Sequence, residues 1–473
     1  MANAPRDAVP LAYRMARALG GVILGVYFRK IETQGRERLA APGPAVFAAN
    51  HPQSITDALV LGMGAGRMIH FVAHGGLFRR PIRAAVLRGS GVVPVFRPHD
   101  TEGAAEKNVE MFRACREVLE RGGAIGIFPE GTSRDEPRVE RLKTGTARIV
   151  LEAEAAHDFS LGVRVVPVGI HFETPRRFRS RVLLRAGDPL LPGKYADAYR
   201  EDPRRAVEQF TADLHAALAG QVVHLEHPEL GVLVQDIEAV YREELLARPE
   251  IPIPEGSRFT RQATLAGEIA KAVSHFEAHD PEALMALARE LALYGRQRTM
   301  LGVPEALLRP GALPSARREA VGSAVPLLLG LPLAAWGVLW CGLPYCLTAW
   351  IVNRRSPDPS KVHWTRLWVG FLVYGLYYPS LLALAAHLLA PWWAAALGAS
   401  LLPAGFFAMA YGRFWNRRKS AIRLGWLATA RREAVEEARE RRRRLLAEMD
   451  RLLAEYLRIR GLAPRSDPGD RRP

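Results

Sequence analysis

Short apolar runs alternate with stretches of helical periodicity between about residues 31 and 218. Five of these runs are rich in valine, isoleucine, phenylalanine and alanine, and their length favours buried strands over helices. They span residues 44–49, 68–73, 91–95, 124–128 and 163–166. Strands that alternate with helices along the chain are typical of an α/β fold, so an α/β domain is predicted here.

Residues 221–320 carry a more polar pattern. Helical spacing extends over residues 230–246 and 260–294, and a proline-rich stretch separates the two. No motif typical of catalysis occurs in this region. We therefore predict a helical connector.

The region from residue 321 to 412 contains two long apolar segments. Residues 321–353 and 367–412 hold no Lys, Arg, Asp or Glu, and both exceed the roughly 20 residues that span a bilayer. The second segment is long enough for a helical hairpin that turns at 390–393. The first contains three prolines and is open to three interpretations: a bent span, a tight hairpin or a re-entrant element.

Basic residues flank both apolar segments on their outer ends, which favours a cytoplasmic position for these ends. All of them lie on one side only if each segment enters the membrane and returns. This reasoning favours a re-entrant element or hairpin for the first segment and a hairpin for the second. The basic residues are Arg317, Arg318, Arg354, Arg355, Lys361, Arg366, Arg417, Arg418 and Lys419.

The two ends of the chain carry further helical patterns. Residues 1–34 include an apolar stretch interrupted by Arg14 and Arg17, which predicts a membrane-associating interfacial helix, with a core helix as the alternative. Residues 413–460 form a basic helix whose heptad-like apolar track predicts a short coiled coil and self-association. The alternative is an amphipathic helix on anionic lipid through Arg441 to Arg444. Residues 461–473 are predicted to be disordered.

Composition narrows the class of partner. A chain of 473 residues with a formal net charge of +16 is expected to form two or more structural units and to meet an anionic partner. No nucleic-acid-binding signature accompanies the charge, so we expect a membrane surface and no nucleic acid. Three cysteines indicate neither a disulfide framework nor a zinc site, and no metal is expected.

Four short blocks in fixed order carry the candidate chemistry. They are Asn50-His51-Pro52 with Asp57, the run from Gly91 to Arg97, the run from Phe128 to Arg134, and Val166-Pro167-Val168. Together they resemble the glycerolipid acyltransferase family, over roughly residues 35–220. The resemblance implies an α/β acyltransferase domain with a mixed sheet flanked by helices.

By this resemblance His51 is the general base and Asp57 orients it. A base is needed because a neutral hydroxyl attacks a thioester slowly. The family's commonest motif has four residues between the His and the Asp, whereas this chain has five, with Thr56 in the usual acid position. Six positions along a regular helix would turn the two side chains away from each other, so a turn must intervene.

The remaining blocks resemble the family's acceptor-binding residues. Arg97 resembles the arginine that binds the acceptor phosphate, and Pro167 is expected to shape a strand end beside the acyl cleft. Glu130 and Gly131 match the acceptor-binding pair. Further donors are expected from Thr132, Ser133 and Arg134. Lys143 matches a lysine common after this block in the family, with an ordinary solvated lysine as the alternative.

The resemblance implies a membrane-bound O-acyltransferase that needs no cofactor beyond its acyl donor. The expected donor is acyl-CoA or acyl-ACP, the latter implying acyl carrier protein as a partner. The expected acceptor is the lysophospholipid lysophosphatidate, giving phosphatidate for phospholipid synthesis; glycerol 3-phosphate is the alternative. We expect the catalytic domain to face the cytoplasm at the cell (inner) membrane. An inactive membrane scaffold is the alternative of another class.

Overall fold

The computed structural model describes residues 10–96, 104–174, 178–251, 253, 256–302, 305, 308–309, 312–355, 362–430 and 432–461. Arg97, Lys361 and the predicted disordered tail beyond residue 461 lie outside the described residues. The chain divides into two compact units. Unit 1 comprises residues 1–228, 256–263 and 358–364, and unit 2 comprises residues 229–255, 264–357 and 365–473.

Unit 1 is built on a seven-stranded mixed sheet with the order β1-β7-β6-β2-β5-β3-β4. Its strands are β1 (Lys30–Gln34), β2 (Ala45–Ala49), β3 (His70–His74), β4 (Val93–Val95), β5 (Ala124–Ile127), β6 (Arg164–Phe172) and β7 (Arg181–Ala186). All neighbouring strands pair in parallel except β6 and β7. The expected mixed sheet is confirmed.

Helices flank this sheet. In unit 1 they are α1 (Leu11–Tyr27), α2 (Arg36–Ala40), α3 (Ile55–Gly64), α4 (Pro81–Gly89), α5 (Ala104–Glu120), α6 (Gly145–Ala155), α7 (Ala196–Glu201) and α8 (Pro203–Ala219). Every residue of the central strand β2 is buried. One core cluster joins β2, β5 and β6 to apolar side chains of α5, α6 and α8, including Leu119, Leu151 and Phe210.

All five predicted strands are present, but the sequence pattern missed β1 and β7. The strand β1 reads Lys-Ile-Glu-Thr-Gln, lies at the edge of the sheet and has no fully buried residue. Pro167 is also placed differently from the prediction. It lies inside β6 opposite Ala48 of β2, and its carbonyl accepts the Gly187 N–H at 2.8 Å, so it does not end the strand.

Unit 2 contains helices and no strand among its described residues, and most of α10 and of α13 belongs to it. Its helices are α9 (Gly231–Leu246), α10 (Arg258–His279), α11 (Pro281–Leu301), α12 (Ala312–Arg355), α13 (Val362–Leu388), α14 (Pro391–Ala430) and α15 (Arg432–Ile459). Asp280 divides the predicted 260–294 run. Its carboxylate caps α11 by accepting the Ala283 N–H at 3.0 Å.

The first apolar segment forms one continuous helix, α12, with Pro326, Pro332 and Pro344 inside it. The preference for a hairpin or re-entrant element was therefore wrong, since the chain does not turn back within this segment. The second segment forms α13 and α14, which are separated by residues 389–390; the turn predicted at 390–393 overlaps this break at Ala390 only. By length and composition, three helical stretches could each span a membrane: Val325–Arg354, Thr365–Leu388 and Pro391–Asn416.

The apolar track of α15 packs inside unit 2, against α9 and α11. Val435, Ala438, Leu445 and Met449 are buried, as an amphipathic helix requires. The predicted coiled coil is corrected accordingly, because helices of the same chain already cover this face. The alternative, in which Arg441 to Arg444 lie together on anionic lipid, is corrected as well, since Arg442 in this run is only 3% exposed.

Candidate active site

The candidate site lies where β2 and β5 end side by side in the sheet. His51 follows β2, and Phe128 follows β5. Carboxyl ends of parallel strands commonly form the ligand site of α/β folds. Asn50 secures the end of β2: its side chain accepts the Ile170 N–H at 2.7 Å and donates to the Ile170 carbonyl at 3.2 Å.

His51 and Asp57 form a hydrogen-bonded pair. The His51 Nδ1 and the Asp57 Oδ2 lie 2.9 Å apart. Asp57 is fully buried in the first turn of α3, whereas the His51 side chain is 17% exposed. A carboxylate acceptor places the hydrogen on Nδ1 and leaves the lone pair on Nε2, the arrangement that a general base needs.

A strained turn brings the two side chains together across the longer spacing. Ser54, immediately before α3, has a φ of 56°, which is uncommon for a residue other than glycine. The turn also directs the Gln53 N–H onto the Asp57 Oδ2 at 2.7 Å. Asp57 therefore contacts His51. Thr56, which stands where the commoner motif has its acid, does not take over that role.

The environment of Asp57 is unusual for a carboxyl group. Burial raises its pKa to about 6, and the hydrogen bond from His51 opposes this shift. Its second oxygen, Oδ1, has no hydrogen-bond partner in the described part of the chain. The carboxyl group therefore changes charge close to neutral pH.

Glu130 holds the backbone around His51. Its Oε1 accepts the His51 N–H at 3.0 Å, and its Oε2 accepts the Glu140 N–H at 3.2 Å. The His51 carbonyl accepts the Arg134 N–H at 3.1 Å. The backbone N–H and the backbone carbonyl of His51 are thus both held by residues of the third block. Burial raises the pKa of Glu130 to about 7.

Phe128 positions the imidazole itself. Its ring stacks on the His51 ring with centroids 4.0 Å apart and an interplanar angle of 15°. Phe71 continues the stack, 6.4 Å from Phe128. This contact and the Asp57 hydrogen bond together restrict the rotation of the histidine side chain.

The other predicted acceptor-binding residues lie on the same loop or beside it. Gly131 has a φ of 67°, in the left-handed region that favours glycine, and a Cβ there would lie 2.7 Å from the Lys143 Nζ, so a larger residue would displace the lysine side chain. The Arg134 guanidinium bonds Glu140 at 3.0 Å. Thr132 and Arg134 are exposed, and Ser133 is half-buried.

The position of Arg97 lies outside the described residues, but the residue before it is fixed. The Phe96 N–H donates to the Asn108 Oδ1 at 3.0 Å, and the Asn108 Nδ2 donates to the Phe96 carbonyl at 2.8 Å. These two bonds fix the backbone at Phe96, and the role of Arg97 stays a prediction.

Two features of the site escaped the sequence analysis. The side chain of Gln53 is buried, and neither of its amide atoms has a hydrogen-bond partner among the described residues. Buried polar groups are usually paired, which marks this one as a candidate contact for substrate or water. The stacking role of Phe128 was missed as well, because ring contacts between distant residues leave no local signal.

The comparisons with known proteins agree with this geometry. A protein-family model described as Acyltransferase matches residues 30–171, which include every strand from β1 to β6 apart from the last residue of β6. The chain is 33% identical over 153 residues to glycerol-3-phosphate O-acyltransferase 2 of Saccharomyces cerevisiae, covering 32% of this chain and 20% of that protein. Residues 30–171 are thus similar to acyltransferases of glycerolipid synthesis.

A second relative has a different acceptor in its name. The 1-acyl-sn-glycerol-3-phosphate acyltransferase LPAT1 of Arabidopsis thaliana is 31% identical over 142 residues, covering 30% of this chain and 36% of that protein. The crystal structure of a 1-acyl-sn-glycerophosphate acyltransferase from Thermotoga maritima is similar over 42% of this chain and 80% of that one, with 22% identity and a TM-score of 0.30. The chain thus spans well under half the length of the yeast and the Arabidopsis relatives. The similarity to them covers the acyltransferase domain only.

Proposed function

We propose that the protein is a membrane-bound glycerolipid O-acyltransferase. The observation that carries this proposal is the His51–Asp57 pair, 2.9 Å apart, at the carboxyl end of β2 in a domain of the acyltransferase family. The pair is aligned as a general base and its orienting acid. No serine nucleophile is required, because the acceptor hydroxyl attacks the thioester.

The proposed reaction follows from the positions of these groups. The His51 Nε2 takes the proton of the acceptor hydroxyl as its oxygen attacks the thioester carbonyl. Asp57 stabilises the imidazolium that forms. When the tetrahedral intermediate collapses, the C–S bond breaks and the imidazolium returns the proton to the departing thiolate. The products are an ester and the free thiol of coenzyme A or acyl carrier protein.

We propose lysophosphatidate as the acceptor, which would yield phosphatidate. Support comes from the plant relative, whose name gives a 1-acylglycerol 3-phosphate acceptor. The second candidate, glycerol 3-phosphate, is supported by the yeast relative and by the five residues between His51 and Asp57. Arg97 and Lys143 are the proposed phosphate contacts for either acceptor.

An acyl-transfer assay on the purified full-length protein in anionic-lipid micelles separates these candidates. Lysophosphatidate and glycerol 3-phosphate are offered separately, each with acyl-CoA and with acyl-ACP. We expect ester formation in the lysophosphatidate tubes. Turnover with glycerol 3-phosphate alone would reassign the acceptor. Folded protein that gives no product with either acceptor would support the scaffold hypothesis.

Two features support membrane attachment. The first is the set of apolar helices α12, α13 and α14. The second is α1, which buries one face and exposes a stripe of apolar side chains at helical spacing on the other. The stripe comprises Leu11, Met15, Leu19, Val22 and Val26, each at least half exposed. We propose that this stripe lies in the lipid interface, on the cytoplasmic side of the cell membrane.

The packing within unit 2 constrains how the helices cross the bilayer. Gly330 of α12 faces Tyr411 of α14, and Gly337 faces Ala404, so these two helices run antiparallel with close backbones. The helix before them, α11, packs on the helix after them, α15. Both ends of the set therefore lie on one side. We propose that α12 and α14 cross the membrane and that α13 does not complete a crossing.

Cysteine labelling tests this topology. In a variant that lacks the three native cysteines, Arg296→Cys on α11 and Arg451→Cys on α15 should react with an impermeant maleimide from the same side of sealed vesicles. Ala390→Cys, between α13 and α14, should react from the other side. Labelling of positions 296 and 451 from opposite sides would show an odd number of crossings and contradict the proposal.

A further inference from the structure

The helix α4 of unit 1 exposes an apolar face. Ile82 is 80% exposed and Val86 is 55% exposed, and Ala85 between them is exposed as well. These three positions lie at helical spacing on one side of α4, whereas Ala84 on the opposite side is buried. Two large apolar side chains thus point into solvent next to each other.

This face continues onto α1. Gly89 lies on the same side of α4 as Ile82 and Val86, and a Cβ at this glycine would lie 3.3 Å from the Ala12 Cβ of α1. Ala12 is itself exposed and lies within one turn of Met15, which belongs to the exposed stripe of α1. Apolar side chains that are exposed on neighbouring elements, unlike scattered ones, mark a contact surface.

The charges on α1 and α4 are all positive. The sequence has no Asp or Glu between Asp7 and Glu32, the stretch that holds α1, and none between Asp57 and Asp100, the stretch that holds α4. Four arginines lie on α4 or directly before it: Arg79, Arg80, Arg83 and Arg88. A surface that carries one sign of charge attracts a partner of the opposite sign.

Two of these arginines are available to a partner. The Arg83 side chain is engaged with the chain before α4, because its Nη2 donates to the Gly76 carbonyl at 3.1 Å. Arg79 and Arg80 are exposed, and neither has a hydrogen-bond or ion-pair partner in the part of the chain that the structure describes. Their guanidinium groups are therefore free to bind phosphate.

We propose that α4 docks on an anionic lipid surface, with Ile82 and Val86 at the acyl boundary and with Arg79 and Arg80 on lipid phosphates. Interfacial helices bind anionic lipid through this combination of apolar side chains and cations. Nucleic acid would satisfy the arginines but offers no apolar layer for Ile82 and Val86. The inference extends the proposed function: it rests on the lipid contact proposed for α1 and not on the acyl-transfer chemistry.

Fluorescence quenching in reconstituted vesicles tests this docking. Full-length protein without its three native cysteines receives one cysteine, by Ile82→Cys, which is labelled with the environment-sensitive fluorophore NBD. Phospholipids with spin-labelled acyl chains quench the fluorophore only where it reaches lipid. Leu19→Cys reports the contact proposed for α1, and Val109→Cys is the matched control, because Val109 is 68% exposed but lies on α5. In vesicles of phosphatidylcholine and phosphatidylglycerol, quenching at positions 19 and 82 should exceed that at 109 several-fold.

A double variant, Arg79→Gln with Arg80→Gln, tests the role of charge. Each cation near an anionic lipid surface changes binding roughly fivefold, so this variant should lose most of the quenching at position 82. Vesicles of phosphatidylcholine alone should have the same effect. The matched control is Arg204→Gln with Arg205→Gln, which removes two exposed arginines from α8 and should leave the quenching unchanged.

Each contrary result overturns a distinct part of the inference. Quenching at position 19 without quenching at 82 would exclude the docking of α4 and leave the α1 contact standing, whereas quenching at neither position would exclude both. Quenching at 82 that is the same with and without phosphatidylglycerol, and in the double variant, would exclude an anionic partner. A blue shift at 82 that grows with protein concentration, without quenching, would assign this face to a second copy of the chain.

Discussion

Replacing His51 by alanine should lower kcat/KM for acyl transfer by at least about 10³-fold, because the acceptor hydroxyl then loses the base that removes its proton. Folding should change little, since the histidine side chain lies in a loop after β2 and remains partly exposed. The measurement is initial-rate acyl transfer with saturating thioester and the acceptor that wild type prefers. Thermal unfolding of both proteins checks the fold.

A matched control is available in the same unit. His157 follows α6, its Nδ1 bonds the Ala153 carbonyl at 3.0 Å, and it belongs to none of the four blocks. His157→Ala should retain activity within about twofold of wild type, as surface changes away from a site usually do. Comparable activity in His51→Ala and His157→Ala would remove His51 from the role of base.

Asp57→Asn gives a second readout of the same pair. The amide cannot stabilise the imidazolium as a carboxylate does, so kcat should fall by about 10²- to 10⁴-fold.

In wild type the rate of acyl transfer should also depend on pH. Above about 6, the pKa of Asp57, the carboxylate is charged and supports the base. As pH falls through this value the carboxyl group takes up a proton and the rate should decline. A decline of equal size in Asp57→Asn would show that another group causes it.

Replacing Arg442 by alanine should destabilise unit 2 by about 3–5 kcal/mol, because it leaves the buried carboxylate of Glu305 and the half-buried one of Glu244 without their cation. The Arg442 Nε donates to the Glu305 Oε1 at 2.6 Å, and its Nη2 donates to the Glu244 Oε1 at 2.8 Å. Tyr294, itself buried, donates to the other oxygen of Glu305. The measurement is thermal unfolding of the purified protein, with proteolysis of α15 as a local readout.

The adjacent arginine provides the control. The side chain of Arg443 is 68% exposed and pairs with Glu440 on the surface of α15. Arg443→Ala should change the free energy of unfolding by less than about 1 kcal/mol, because exposed ion pairs usually contribute no more than that. In the double variant with Glu305→Gln, Arg442→Ala should destabilise less than it does alone, because one uncompensated charge is gone. Equal losses from the two arginine variants would contradict the buried network.

Local pattern was sufficient for much of this protein. The five predicted strands, the helices between residues 231 and 301 and the apolar helices follow from periodicity and the absence of charge, which short stretches of chain encode. The four blocks in fixed order indicated a resemblance to the glycerolipid acyltransferases, because the residues within each block lie close together in sequence. The strands β1 and β7 escaped prediction because their pattern is mixed with charged residues.

Tertiary structure decided what each side chain touches. Sequence named His51 and Asp57, but only the turn at Ser54 shows that Asp57 contacts the ring across the longer spacing. Glu130, 79 residues from His51, fixes its backbone, although the family resemblance implied a role at the acceptor.

The same division applies to unit 2. The sequence by itself determined that α15 is amphipathic and arginine-rich, and that α12 is apolar throughout most of its length. The fold decided that Arg442 is buried against Glu305, 137 residues away, and that α12 continues through its prolines as one helix. Periodicity records which face of an element is apolar, whereas the partner that covers this face depends on contacts between segments far apart in the chain.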